Sequence, residues 1–257
     1  MDELFARLEE LKLDHVQLAL ADFVAAADDA RAEMVQRVRS SGRTVTATMI
    51  SFAGEDYKTI ASIRRTGGFA PDDAWPGRKA STIEAAKISQ AIGVALLSTH
   101  VGFVPMSSDP NYRVMVERVG DIATAIDAHG VSLLLETGQE SASELLQFLN
   151  DLRVRNVGVN FDPANMILYG AGDPIEAVRT VGRHIRHVHL KDAVSSDHPG
   201  TQWGDEVPFG SGEVPVGEFL EALKDVGYTG PLVIEREAGE DRMGDVKAAL
   251  HTLQSLG

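Results

Sequence analysis

The sequence predicts an α/β chain folded as a (β/α) barrel of parallel strands. Three observations carry this. Helical and strand periods alternate along the whole chain; helix-to-strand links are short while two strand-to-helix links are very long; and no G-x-G-x-x-G follows the first strand, as a doubly wound nucleotide-binding sheet would require.

The elements follow in order. Residues 2–13 place Leu4, Phe5, Leu8 and Leu11 on one helical face, and HVQLAL at 15–20 reads as a strand. The pair recurs as 28–40 with TVTATMI (44–50), 81–92 with VALLSTH (94–100), and 111–129 with VSLLLE (131–136). It continues as 142–152 with VGVNFD (157–162), 174–183 with HIRHVHL (184–190), and 216–226 with PLVIE (231–235), before a final helix at 243–255. Apolar, β-branched strands between helices describe a parallel sheet covered on its outer face. The long links, about 51–80 and 191–215, are rich in Gly, Pro, Asp and Trp without sustained periodicity. Elaborated loops at strand C-termini put the chemistry of a barrel there.

The pattern yields seven strands, and the chain opens on a helix. An eight-fold barrel begins with a strand, so the expectation is a barrel lacking its first strand in this chain. That leaves a notch between the strands at 15–20 and 231–235. Unpaired edges there favour association of copies, and a homo-oligomer is expected on that ground. No linker or low-complexity tract interrupts the repeat, so residues 1–257 read as one barrel domain.

Composition narrows the function. The chain is 44% hydrophobic and 24% charged, and it contains no cysteine, which excludes disulfides, thiolate metal sites and cysteine nucleophiles. The opening MDELFARLEE does not read as a secretory signal, and no run of 18 apolar residues occurs, so a cytoplasmic protein without a membrane partner is expected. A net charge of −14 disfavours a nucleic-acid partner.

The strand ends carry the chemistry. SLLLE ends in Glu136, VNFD in Asp162, RHVHL offers His189, and PLVIE ends in Glu235. Alternation turns Val157, Val159 and Phe161 to the helix layer and Gly158, Asn160 and Asp162 into the barrel; the same parity applies to Glu136, Glu235, His187 and His189. Any one such acid has a second reading as a helix cap, and the DPAN after Phe161 also reads as a helix start. Four together form a hard, oxygen-rich set suited to one divalent ion, Mn²⁺, Mg²⁺, Co²⁺ or Zn²⁺. Without a cation between them, three carboxylates repel one another.

ETGQE (136–140), NFDPAN (160–165), HVHLKD (187–192) and PLVIER (231–236) resemble the xylose isomerase-like barrels, the sugar phosphate isomerase/epimerase superfamily. The resemblance covers nearly the whole chain. It implies a divalent metal held by Glu136, Asp162, His189 and Glu235, with Glu136 and Glu235 also the catalytic acid/base pair. It further implies a metal-dependent isomerase or epimerase acting on a keto-sugar, ketose or polyol derivative. Proton abstraction beside a carbonyl gives an enediolate, and return of the proton by a second carboxylate epimerises or isomerises the substrate. The sequence departs from the ketose epimerases at Asn165, where they place a substrate-binding His; Asn binds a hydroxyl but takes no proton at neutral pH. Gln139 stands where several relatives have a basic or aromatic contact.

Further candidates for substrate binding are His100, Lys191, Trp203 and Glu237. Each has a plainer reading: His100 as a structural residue, Lys191 paired with Asp192 on the surface, Trp203 (with Phe209) as a loop anchor, and Glu237 facing solvent. His187 is expected to be a hydrogen-bonded core residue one layer deeper, and GSG at 210–212 a turn. Competing functions are a lyase or dehydratase on the same scaffold, an endonuclease IV-like nuclease, and a non-catalytic sugar- or metal-binding protein. The nuclease is disfavoured by the charge and by Asn165.

Overall fold

The computed structural model describes residues 1–256. Seven strands form the main sheet: β1 (His15–Ala19), β2 (Thr44–Met49), β3 (Leu96–Thr99), β4 (Ser132–Glu136), β5 (Val157–Phe161), β6 (Ile185–Leu190) and, last in the chain, β9 (Leu232–Ile234). Their spatial order is β1-β2-β3-β4-β5-β6-β9, every neighbouring pair is parallel, and together they form a nearly closed barrel. The expected seven strands are therefore present. Between β1 and β9 lies a cavity of about 1010 Å³, lined by Leu8, Val16, Gln17, Val45, Leu232 and Leu250 among others. Burial marks the same opening: Leu133, Leu135, Val159, Phe161 and Val188 on the central strands are buried, whereas Leu232 on β9 is 44% exposed.

Helices cover the outer face: α1 (Asp2–Leu11), α3 (Asp28–Ser40), α5 (Trp75–Ile92), α6 (Pro110–Asp127), α7 (Ala142–Asp151), α9 (Pro174–Val181), α10 (Val216–Asp225) and α11 (Arg242–Leu256), with α2 (Ala21–Ala25), α4 (Ile60–Thr66) and α8 (Pro163–Tyr169) as short additions. Local chemistry sets their ends. Ser141 and Glu144 form a capping box on α7, and Asp109 and Asp173 cap α6 and α9 ahead of a proline in the first turn. The helix layer packs on the strands through aromatic contacts such as Phe161 on Phe219, whose ring centroids are 5.9 Å apart.

The two long links contain more structure than the sequence predicts. The first holds α4, capped by Thr59 with Ser62, and the opening of α5. The second holds an antiparallel hairpin, β7 (Asp192–Val194) with β8 (Asp205–Val207). Helices of five to seven residues and strands of three are too short to show a period, which is why α2, α4, α8 and the hairpin escape a periodicity reading.

Candidate metal and substrate site

Strand parity brings four side chains to one point. Glu136 ends β4, His189 lies near the end of β6, and Asp162 and Glu235 directly follow β5 and β9. Their ligand atoms all lie within 4.8 Å of one another. His189 Nδ1 is 3.2 Å from Glu235 Oε2, 3.4 Å from Glu136 Oε1 and 3.6 Å from Asp162 Oδ2. Both readings of Asp162 hold together: Oδ1 accepts from the Asn165 amide and caps α8, while Oδ2 turns to the cluster.

The donor set fits a divalent cation. Glu136 Oε2, Asp162 Oδ2 and His189 Nδ1 are buried and have no hydrogen-bond partner among the described residues. Buried polar atoms without partners demand an explanation, and a cation held jointly by hard oxygens and one imidazole nitrogen supplies it.

The electrostatics reflect mutual dependence. Burial works against the charged form of Glu136, but His100 and His189 outweigh it and hold the carboxyl below its ordinary range. Burial also opposes Glu235, yet His189 and Lys191 keep it well below. Asp162, enclosed more completely, is pushed up by burial despite Lys191. Burial opposes charge on His189 too, but Glu235 and Glu136 draw its proton affinity well above that of free histidine. Three carboxylates are sharing whatever positive charge is near.

The other sequence-predicted residues sort themselves by contact. Asn165 Nδ2 donates to Glu136 Oε1 at 3.2 Å, and His100 Nε2 lies 3.6 Å from the same oxygen. Lys191 is 2% exposed and its Nζ donates to Glu237 Oε2 at 2.6 Å and Glu235 Oε2 at 3.0 Å. The surface Lys191–Asp192 pair therefore does not form. Asp192 is itself buried, and its carboxylate accepts from the backbone amides of Ala193, Gly210, Gly212 and Val214, tying down the turn at 210–212. Glu237 meets solvent and Lys191 at once, its side chain 69% exposed.

Trp203 and Phe209 part company. Phe209 is buried in the core as an anchor. Trp203 packs edge-on against Tyr169, centroids 4.7 Å apart, and its buried Nε1 has no partner among the described residues. Tyr169 in turn packs against Phe103 and accepts from Gln139 Nε2 at 3.2 Å. Sequence reasoning missed Tyr169, although helical spacing from Asp162 puts Asn165 and Tyr169 on one face of α8. His187 is the expected core residue: Nδ1 meets Asn160 Oδ1 at 2.9 Å and Nε2 meets Thr46 at 3.0 Å. Burial, then its neighbour His189, push it down to about 3, so it is neutral.

A hard-donor cluster at the C-terminal mouth of a parallel barrel defines a class of (β/α) protein with a metal-type site. The chain belongs to the xylose isomerase-like TIM barrel family, whose model matches residues 5–256. It is similar to a xylose isomerase domain protein from Planctomyces limnophilus, at 38% identity and a TM-score of 0.92 over 98% of this chain and 91% of that one. A xylose isomerase-like TIM barrel protein from Mycobacterium smegmatis, solved in complex with magnesium, shares the fold at 17% identity and a TM-score of 0.75, over 99% of this chain and 87% of that one. The D-psicose 3-epimerase of Ruminiclostridium cellulolyticum is 31% identical over 128 residues, 47% of this chain and 39% of that protein. The aligned segments span about half or less of the length of the curated relatives it matches.

Proposed function

We propose that the chain is a divalent-metal-dependent isomerase or epimerase of keto-sugars or related polyols, with Glu136 and Glu235 as its proton-transfer pair. The observation that carries this reading is the convergence of four ligand-type side chains whose ligand atoms lie within 4.8 Å of one another, three of them carrying a buried polar atom without a hydrogen-bond partner among the described residues. The likeness to a D-psicose 3-epimerase and to a magnesium-bound barrel supports the same class.

Glu136, Asp162, His189 and Glu235 would hold the ion, which would supply electrostatic stabilisation of negative charge developing on the substrate oxygens. The remaining work falls to the chain's own residues. His189 and then Lys191 favour the ionised form of Glu235, the form that accepts the proton beside a carbonyl. Glu136, steadied by Asn165 and His100, is the partner that exchanges a proton with the same or the neighbouring carbon. Tyr169 and Trp203 present an apolar wall suited to a sugar's C–H face, and the indole N–H is free for a substrate hydroxyl.

The test is incubation of Mn²⁺-loaded protein with a panel of ketoses in deuterated water, followed by NMR of the sugars. Deuterium at the carbon beside the carbonyl, with an epimer or isomer formed, is expected, and Glu136→Gln or Glu235→Gln should lower the rate by about 10²–10⁴-fold. Loss of a hydroxyl from the labelled product would make the protein a dehydratase. Full activity in either Gln variant would remove the assignment of the pair.

A further inference from the structure

His189 has two ring nitrogens, and only one faces the carboxylates. Nδ1 points at Glu136, Asp162 and Glu235, while Nε2 lies 2.5 Å from Oε1 of Gln17. Gln17 comes from β1, on the opposite side of the barrel in sequence and beside the notch, where the pairing of β1 with β2 shifts register between Val16 and Gln17. Such a shift re-aims a side chain.

The other polar group near Nε2 is Asn160, whose amide nitrogen is 3.1 Å away. Its orientation is fixed from behind. His187 Nδ1 meets Asn160 Oδ1, an oxygen that can only accept, so Asn160 shows its NH₂ to Ser98 and His189. An NH₂ group cannot accept a proton from imidazole. Gln17 Oε1 is thus the one acceptor for His189 Nε2–H among the described residues, and the Gln17 amide nitrogen goes without a partner of its own. The Gln17 side chain thus spends its oxygen on the imidazole while its buried amide nitrogen finds no partner among the described residues.

We propose that Gln17 is a positioning residue for the metal centre: its side-chain oxygen holds the His189 proton on Nε2 and so leaves the Nδ1 lone pair to bind the ion. The inference rests on the metal-binding reading above. Histidine ligands characteristically donate their other N–H to an oxygen that fixes tautomer and ring plane, and loss of such a partner typically costs 10–100-fold in metal affinity.

The experiment is calorimetric Mn²⁺ titration of chelator-stripped native protein, Gln17→Leu and Gln17→Glu, with circular dichroism to verify folding. Gln17→Leu should bind Mn²⁺ about 10–100-fold more weakly, and Gln17→Glu, which keeps an acceptor oxygen, should restore the affinity. Nitrogen-15 NMR of histidine-labelled native protein with Mg²⁺ should show His189 protonated at Nε2. Native affinity in folded Gln17→Leu, loss of affinity in folded Gln17→Glu, or a proton on Nδ1 in the Mg²⁺-loaded protein would each overturn the inference while leaving the metal site standing. Absence of Mn²⁺ binding by the native chain would instead remove the metal reading, and this inference with it.

Discussion

The Lys191 ammonium donates to Oε2 of Glu235 at 3.0 Å, and that same oxygen stands 3.2 Å from Nδ1 of His189. One carboxylate oxygen is therefore shared between a lysine on one side and a metal-type ligand on the other. Lys191 is buried with Asp162 Oδ2 at 3.8 Å and Glu206 Oε2 at 3.9 Å as well, so its single charge serves several acids.

Replacing it should expose that dependence. Lys191→Met keeps the length of the side chain but removes the lysine charge from beside Asp162 and Glu235, leaving them only His189. Breaking one side of a buried pair costs about 3–5 kcal/mol. Urea unfolding of the metal-free variant should show a loss of this order; an unchanged midpoint would mean the acids are neutralised by protonation instead.

Metal should stabilise the fold. A ligand present at 100 times its Kd adds about 2.7 kcal/mol to a native state that alone binds it. For a chain of this size that corresponds to a rise in Tm of about 5–10 °C. Mn²⁺ should produce this shift in the native protein, EDTA should reverse it, and Asp162→Ala should show none. An equal shift in Asp162→Ala would place the bound ion elsewhere.

Glu140 supplies a pH dependence away from the cluster. It is 8% exposed, and burial, followed by repulsion from Glu144, pushes its carboxyl up to about 8. The sign follows from proton counting: between about 4.5 and 8 the folded chain holds a proton there that the unfolded chain has released, so this group makes stability fall as pH rises through that window. Glu140→Gln should flatten that part of the stability–pH curve and gain about 1–3 kcal/mol at pH 9. Parallel curves for the two proteins between pH 5 and 9 would show Glu140 ionising normally.

The sequence by itself determined the barrel and the set of four side chains that meets at its mouth. Strand alternation is a local, period-two property, so the inward direction of Glu136, Asp162 and His189 could be read from the apolar residues between them. The seven-strand count was equally local, and the opening between β1 and β9 follows from it. Tertiary structure decided what lies across space. Lys191 and Asp192 are neighbours in sequence, yet one turns to Glu235 and Glu237 and the other to amides 18–22 residues away. Gln17 and His189 are 172 residues apart, and nothing in HVQLAL marks the glutamine as the group facing an imidazole nitrogen. Such contacts depend on which strands close the barrel and at what register, and a one-residue shift in pairing replaces one inward side chain by another.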